Sequence, residues 1–345
     1  MDNADDYPIH PPQKRSKIVS AIAWALVVLL VPMSTAWIIG GWVYWFDVLA
    51  SQQMLIGWIV LGVGALMLIA RRRIPGVICI LLAMVSLYPV FTGRHLTLAG
   101  VDLEHKPDGV IRVVSSNLNP KNTRWREDIE TLFDLDADVI VLLEVPRELN
   151  LGIGRYGFLE ESKYPNWVHR PWKEREVSPS FILSPWVIHA IDTFEEPEFV
   201  QNYLYLRIEH PAGSFVAGLL HPLSPRTESR WTHGNRVIES QARTAWRIEK
   251  ETGMPVLFGV DLNAGPAQQR AQTLRRAGIK MSKPVFRMGG SFPMNTPVPA
   301  ALRIQLDDIW SLGDVEPVGW EMIELKGSDH QAVIVDFRIV GESNQ

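Results

Sequence analysis

Cysteine is nearly absent. With Cys79 as the single thiol in 345 residues, no intramolecular disulfide can form and no pair of thiolates can seed a zinc site. Phosphate-loop and acyl-transfer signatures are missing as well: no G-x-x-x-x-G-K-[ST] string and no G-x-S-x-G elbow occurs, which removes support for kinase and serine-esterase chemistry. Gly152, Gly154 and Gly157 do spell G-x-G-x-x-G. They follow Pro146-Arg-Glu-Leu-Asn rather than a strand and open no amphipathic helix, so they read as loop glycines and not as a dinucleotide site. There is no internal repeat and no low-complexity tract. Charged residues make up only 21% of the chain, and that shortage is local.

It falls in the first hundred residues. No charged side chain occurs in residues 18–46, 48–70 or 74–93. A bilayer core of about 30 Å takes roughly 20 apolar residues of helix, because backbone groups must pair internally where water is absent. Each run is long enough, and residues 21–31 and 55–70 lack the polar face of a soluble helix, so three transmembrane helices are predicted. Lys14, Arg15 and Lys17 precede the first run like the charged start of a signal peptide, but two further runs follow and the first exceeds the usual length, so it reads as a signal anchor. The same cations, with Arg71, Arg72 and Arg73 between the second and third runs, belong on the cytoplasmic side; Trp42, Tyr44, Trp45 and Phe46 suit the outer interface. Three crossings place everything after Arg94 outside the cytoplasm, in a multi-pass protein of the inner or plasma membrane.

Residues 101–345 are a different material. Of 34 basic and 38 acidic residues, seven and four fall in residues 1–100, leaving 27 and 34 and a net charge of −7. Duplex binding is largely phosphate neutralisation by Lys and Arg, so nucleic acid is possible but not favoured. The expected organisation is a tail (1–17), a membrane domain (18–93), a linker (94–109), a catalytic domain (110–340) and a short tail (341–345), with no obligate protein partner inferred. Strands are expected at residues 109–115, 138–143, 180–183, 203–208, 214–220, 256–260, 304–310 and 332–339, and helices at 125–133, 235–252 and 267–277. Such interleaving predicts an α/β domain with its chemistry at the strand ends.

What stands at those ends is Asn117, Glu144, His221, Asp261 with Asn263, Asp307 with Asp308, and Asp329 with His330. Asp and Asn favour turns after strands for local reasons, so each alone carries little. Together they supply the hard oxygen ligands Mg²⁺ prefers and two histidines able to donate to a phosphoryl oxygen, a set suited to metal-assisted phosphoester hydrolysis. Trp167, Trp172 and Trp186 are candidates to line a substrate mouth, and Arg226, Arg230 and Arg236 to meet an anionic substrate; solvated surface positions are the bland account of both groups.

Ser115-Ser116-Asn117, Leu143-Glu144-Val145, His221-Pro222, Asp261-Leu262-Asn263, Leu306-Asp307-Asp308-Ile309 and Ser328-Asp329-His330 resemble the ordered motifs of the endonuclease/exonuclease/phosphatase superfamily, the DNase-I-like fold. The stretch 286–293, with Ser291-Phe292-Pro293, is similar to a loop of its membrane-tethered bacterial members. The resemblance covers residues 110–340 and implies a two-sheet α/β sandwich flanked by helices, dependent on Mg²⁺ or Mn²⁺. It implies Glu144 as principal metal ligand with Asn117 and Asp329. It further implies Asp261 positioning or deprotonating the attacking water, Asn263 fixing the same group, His330 oriented by Asp307 and donating to the phosphoryl oxygen, and His221 contacting the phosphate.

This chain departs from that pattern in two places. Val260 stands where the family usually has glycine before Asp261, and Pro185 stands where a basic residue commonly follows Ile182-Leu183-Ser184. The expected function is a membrane-anchored, metal-dependent phosphoesterase, a nuclease or phospholipase-C-like phosphodiesterase. The alternative is a binding or scaffold protein that keeps the fold and has lost turnover.

Overall fold

The computed structural model describes residues 14–152, 162–170, 179–191, 204–287 and 289–340. It divides into two compact units, residues 1–90 and 91–345.

The first unit is helical: α1 (Lys14–Ser34), α2 (Ala36–Ile39), α3 (Tyr44–Ala50), α4 (Gln53–Ile69) and α5 (Arg73–Phe91). Two helical stretches, Lys17–Ile39 and Arg73–Phe91, are each long and apolar enough to cross a membrane. The second predicted run is a bent pair, α3 and α4 meeting at 71°, which makes up to three spans. Asp47 lies inside α3 and is buried. Ala23, Val27 and Leu30 of α1 pack on Ile56, Val60 and Met67 of α4 and on Cys79 and Ala83 of α5. Gln53, buried at the start of α4, ties these helices together, its Nε2 donating to Ser34 O at 2.9 Å and to Ser86 Oγ at 2.7 Å.

The second unit is two mixed sheets flanked by helices. Sheet I has the order β11-β12-β1-β2-β4-β3. Its strands are β1 (Ile111–Asn117), β2 (Val139–Leu143), β3 (Asn166–Arg170), β4 (Ser180–Ser184), β11 (Val315–Glu324) and β12 (Gln331–Ile339). Sheet II has the order β5-β6-β7-β8-β10-β9, from β5 (Ile188–Ala190), β6 (Tyr205–Ile208), β7 (Phe215–Leu220), β8 (Val256–Asp261), β9 (Lys280–Met281) and β10 (Asp307–Leu312). Four helices complete it: α6 (Trp125–Phe133), α7 (Arg147–Gly152), α8 (Glu228–Thr252) and α9 (Gln269–Arg276). Successive strand residues point to opposite faces, so each central strand serves two cores. Val113, Val141 and Leu143 of sheet I meet Ala217, Leu219, Leu257 and Ile309 of sheet II between the sheets. Outer faces are covered by α6 on sheet I and by α8 and α9 on sheet II. The segment expected as a linker is hydrogen-bonded into this unit, where Trp320 N donates to Ala99 O at 3.0 Å.

Four strands, β3, β5, β9 and β11, escaped the sequence reading; β5 and β9 are only three and two residues long, and the other two have physical reasons. In β11 buried and exposed positions alternate along Val-Glu-Pro-Val-Gly, and a bulge falls between Pro317 and Gly319, so no continuous apolar run marks it. Strand β3 is a polar edge strand on β4. Helix α8 begins seven residues before the expected start: Thr227 caps it by accepting from Arg230 N, while Ser, Thr, His and Gly weaken the periodic signal in its first turns.

Candidate active site

Strand pairing alone brings the predicted residues to one end of both sheets. Strands β1 and β2 run parallel with Asn117 beside Leu143, so Asn117 and Glu144 emerge together. Strands β7 and β8 run parallel with Leu220 beside Val260, so His221 and Asp261 are the next residues of each. Strand β10 is antiparallel to β8 and opens with Asp307 opposite Asp261. Strand β12 is antiparallel to β1 and begins immediately after Asp329 and His330.

The side chains converge. His221 Nε2 lies 3.1 Å from Glu144 Oε1 and 3.7 Å from Asp261 Oδ2. Asn117 Nδ2 donates to Asp261 Oδ2 at 2.9 Å, and Asn263 N donates to Asp261 Oδ1 at 2.8 Å. His330 Nδ1 is 2.7 Å from Asp307 Oδ2, which also accepts from Ser291 Oγ at 2.6 Å. Phe292 packs on the His330 ring with centroids 4.7 Å apart. Asn263 Nδ2 reaches Pro222 O at 3.2 Å, joining the His221 loop to the Asp261 loop.

Asp307 and Asp308 part company because neighbours on a strand face opposite ways. Asp307 faces the site. Asp308 accepts from Trp320 Nε1 and Lys283 N, each at 2.9 Å, on the other side. Burial pushes the Asp308 carboxyl above its usual range, despite those hydrogen bonds.

The same alternation explains Val260. Gly259 points between the sheets, where a Cβ would lie 2.5 Å from Val141 Cβ, while Val260 points to the α8–α9 side and is fully buried there. The glycine of this strand therefore sits at a close approach of the two sheets. The valine packs with Val237, Ile238 and Leu274 in the core beneath α8 and α9.

Three non-glycine residues adopt the left-handed conformation at this end: Glu144 (φ 48°), Asn119 (φ 61°) and Asn263 (φ 48°). Asn tolerates that region; Glu does not, and backbone strain of this kind, worth about 1–3 kcal/mol, collects at functional sites. Burial raises the Glu144 carboxyl, but the His221 hydrogen bond, the charges of His221 and His330 and the Asn117 hydrogen bond outweigh it, and the net shift is downward. Burial would push the His330 ring down; Asp307 beside it, aided by Asp261 and Asp329, instead holds it up to about 10. Burial also pushes the Asp307 carboxyl up, so the pair grips its shared proton firmly.

Among the described residues, two groups present ligand atoms within 4.8 Å of one another: Glu144, His221 and Asp261, and Asp261, Asp307 and His330. Asp261 belongs to both. Asp329 stands outside these triplets, held by Asn119, whose Nδ2 donates to Asp329 Oδ1 at 2.9 Å. Asp307 Oδ1 is buried with no hydrogen-bond partner among the described residues. Carboxylate oxygens so concentrated, one without a donor and Glu144 favoured in its ionised form, fit a hard divalent cation. Asn119 was missed in the sequence; its spacing of two from Asn117, at a strand end, was the available signal.

Trp186 and Trp167 hold other contacts. Trp186 Nε1 donates to Asp138 Oδ1 at 2.9 Å and Trp167 packs on Phe181, both structural roles. Trp172, Gly154 and Gly157 lie outside the described residues. Arg226, Arg230 and Arg236 are exposed.

No family model matches the sequence, and no curated protein matches it. Solved structures do. The human Nocturnin catalytic domain, solved with a bound sulfate anion, is 14% identical over 68% of this chain and 97% of its own, with a TM-score of 0.51. A humanized TDP2 of D. rerio is 15% identical over 67% and 100% of the two chains, TM-score 0.49. An endonuclease/exonuclease/phosphatase protein of Beutenbergia cavernae DSM 12333 is 14% identical over 67% and 72%, TM-score 0.47. With its two mixed sheets and covered outer faces, the second unit shares the two-sheet DNase-I-like α/β sandwich fold of the Nocturnin catalytic domain.

Proposed function

We propose that this chain is a membrane-anchored, divalent-metal-dependent phosphoesterase that cleaves a phosphodiester outside the cytoplasm. The observation that carries the reading is the meeting of Glu144, His221, Asp261, Asp307 and His330 at one end of two sheets, although up to 186 positions separate them in the chain.

Glu144, with Asn117 and Asp329, would hold the cation, Mg²⁺ or Mn²⁺. Once bound, the ion supplies Lewis-acid polarisation of a phosphoryl oxygen and offsets the charge of an anionic ester. The remaining chemistry belongs to side chains. Asp261, oriented by Asn117 and by the Asn263 backbone, positions the attacking water and takes its proton. His330, kept protonated by Asp307, donates to the phosphoryl oxygen as negative charge grows. His221, set between Glu144 and Asp261, contacts the phosphate from the other sheet. Asn263 fixes the loop beside it.

The experiment uses the full chain in detergent micelles with an aryl phosphodiester. Turnover is expected with Mg²⁺ or Mn²⁺ and is expected to vanish on chelation. Glu144→Gln and His330→Ala should each lower kcat at least about a hundredfold. Undiminished turnover in either folded variant, or in chelator, sinks the reading.

The cytoplasmic placement of Lys14, Arg15 and Lys17, and of Arg71, Arg72 and Arg73, rests on the positive-inside preference. With α3 and α4 as one bent span, the chain crosses three times and leaves its sandwich outside. A reporter joined after Gln345 that works only in the cytoplasm would contradict this topology. The net charge of −7 in residues 101–345 supports a lipid head group or small phosphodiester over long nucleic acid.

A further inference from the structure

One buried cation lies behind the site rather than in it. Arg270, on the first turn of α9, is 1% exposed. Its Nη1 donates to Leu262 O at 2.8 Å and its Nη2 to Leu223 O at 2.9 Å, while Nε lies 3.4 Å from Asn235 Oδ1 on α8. Leu262 separates Asp261 from Asn263, and Leu223 follows His221 by two residues. A single planar guanidinium therefore fastens the two loops that deliver His221 and Asp261, which are 3.7 Å apart. Helix α8 makes room for it: a Cβ at Gly234 would stand 2.2 Å from Nη2 and 2.8 Å from Cζ. A buried guanidinium requires satisfied donors, and its fixed fork can serve two carbonyls where a lysine ammonium acts from one point.

We propose that Arg270 is the positioning residue that sets the spacing between His221 and Asp261, with Gly234 present to admit its guanidinium. The inference rests on the phosphoesterase reading above and assigns that site a component which touches neither substrate nor metal. Small displacements of reacting groups from a distance cost up to about a hundredfold in rate. Arg270→Lys is accordingly expected to lower kcat ten- to a hundredfold with KM changed less than threefold, in a chain whose thermal unfolding still shows a folded sandwich.

Gly234→Ala should reproduce that kcat loss by pushing the guanidinium off its carbonyls. In an Arg270→Ala background, where the space is free, Gly234→Ala should add nothing; such non-additivity is the mark of a direct contact. Guanidinium ion at millimolar concentration should restore part of kcat in Arg270→Ala, and methylammonium should not.

The measurement compares these four variants with wild type, in detergent, on the aryl phosphodiester. Wild type inactive on every diester overturns the phosphoesterase reading and this role with it. Wild type active, with Arg270→Lys folded and within threefold of its kcat, overturns the role alone. Additive losses from Gly234→Ala and Arg270→Ala do the same.

Discussion

Gly259 of one sheet lies against Val141 of the other so closely that a methyl group on the glycine would fall 2.5 Å from the valine Cβ. The contact sits two residues before Asp261 and three before Glu144 on their respective strands, at the point where the sheets come together to present both carboxylates. A side chain here has nowhere to go, since Val141 and its neighbours are fully buried. Gly259→Ala should destabilise the unit by about 1–3 kcal/mol, the usual cost of overpacking a filled core. Val260→Ala should also destabilise, by about 1–3 kcal/mol through a cavity on the α8–α9 side, yet leave kcat of the folded enzyme within threefold. Thermal unfolding and initial rates on both variants check the pair; a large kcat loss in Val260→Ala at full folding would contradict the placement.

Asn119 was not among the predicted residues, but it holds Asp329 at 2.9 Å while its own backbone donates to Asn117 Oδ1 at 3.0 Å. Both partners are proposed metal ligands. Groups that orient ligands are worth about 10- to 100-fold in metal affinity. Asn119→Ala is therefore expected to raise the Mn²⁺ concentration for half-maximal activity by that factor, and titration calorimetry with Mn²⁺ should show a matching rise in Kd. Unchanged affinity would separate Asp329 from the metal.

The core strands were legible because each is buried on both faces and reads as an unbroken apolar run; β1, β2, β4, β7 and β8 were each located to within two residues at both ends. The site was legible because polar residues after such runs are few. What stayed hidden depends on long-range geometry. Nothing local distinguishes Asp307 from Asp308 until β10 pairs with β8 and the alternation decides which one faces His330. Gly259 gains its meaning only from Val141, 118 positions away, and Arg270 gains its own only from carbonyls on two distant loops. The break in the second apolar run, with Asp47 buried in α3, was invisible for the same reason: its partners lie elsewhere in the helical unit.

Ser291 is the hydroxyl behind the His330 pair. Its Oγ donates to Asp307 Oδ2 at 2.6 Å and accepts from Asp307 N at 3.1 Å. Hydrogen bonds to charged groups contribute about 1.5–3 kcal/mol, and Ser291→Ala removes this one from a carboxylate that already lacks a donor on Oδ1. The variant is expected to lose stability of that order and about tenfold in kcat, while Ser291→Thr, which keeps the hydroxyl, should retain most of both. Equal losses in the two variants would mean that packing, not the hydrogen bond, is what matters there.

Asp138 is expected to make the sandwich sensitive to acid. Burial alone would raise its carboxyl; hydrogen bonds from His210, Lys106 and Trp186 and from Arg112 N outweigh burial and hold it near 2, against 3.8 when free. His210 Nε2 lies 3.1 Å and Lys106 Nζ 2.8 Å from Asp138 Oδ1. A carboxyl whose folded pKa is depressed stabilises the fold above the unfolded value and loses that contribution as pH falls through the folded one. The window is therefore about pH 4 down to pH 2, and the contribution at neutral pH is roughly 2 kcal/mol. Asp138→Asn, which cannot ionise, should be less stable than wild type by that order at pH 7, and the gap between them should narrow steadily from pH 4 to pH 2. Thermal unfolding across that range decides it. A gap that stays constant, or widens toward acid, would show that the four donors act on Asp138 without favouring its charge.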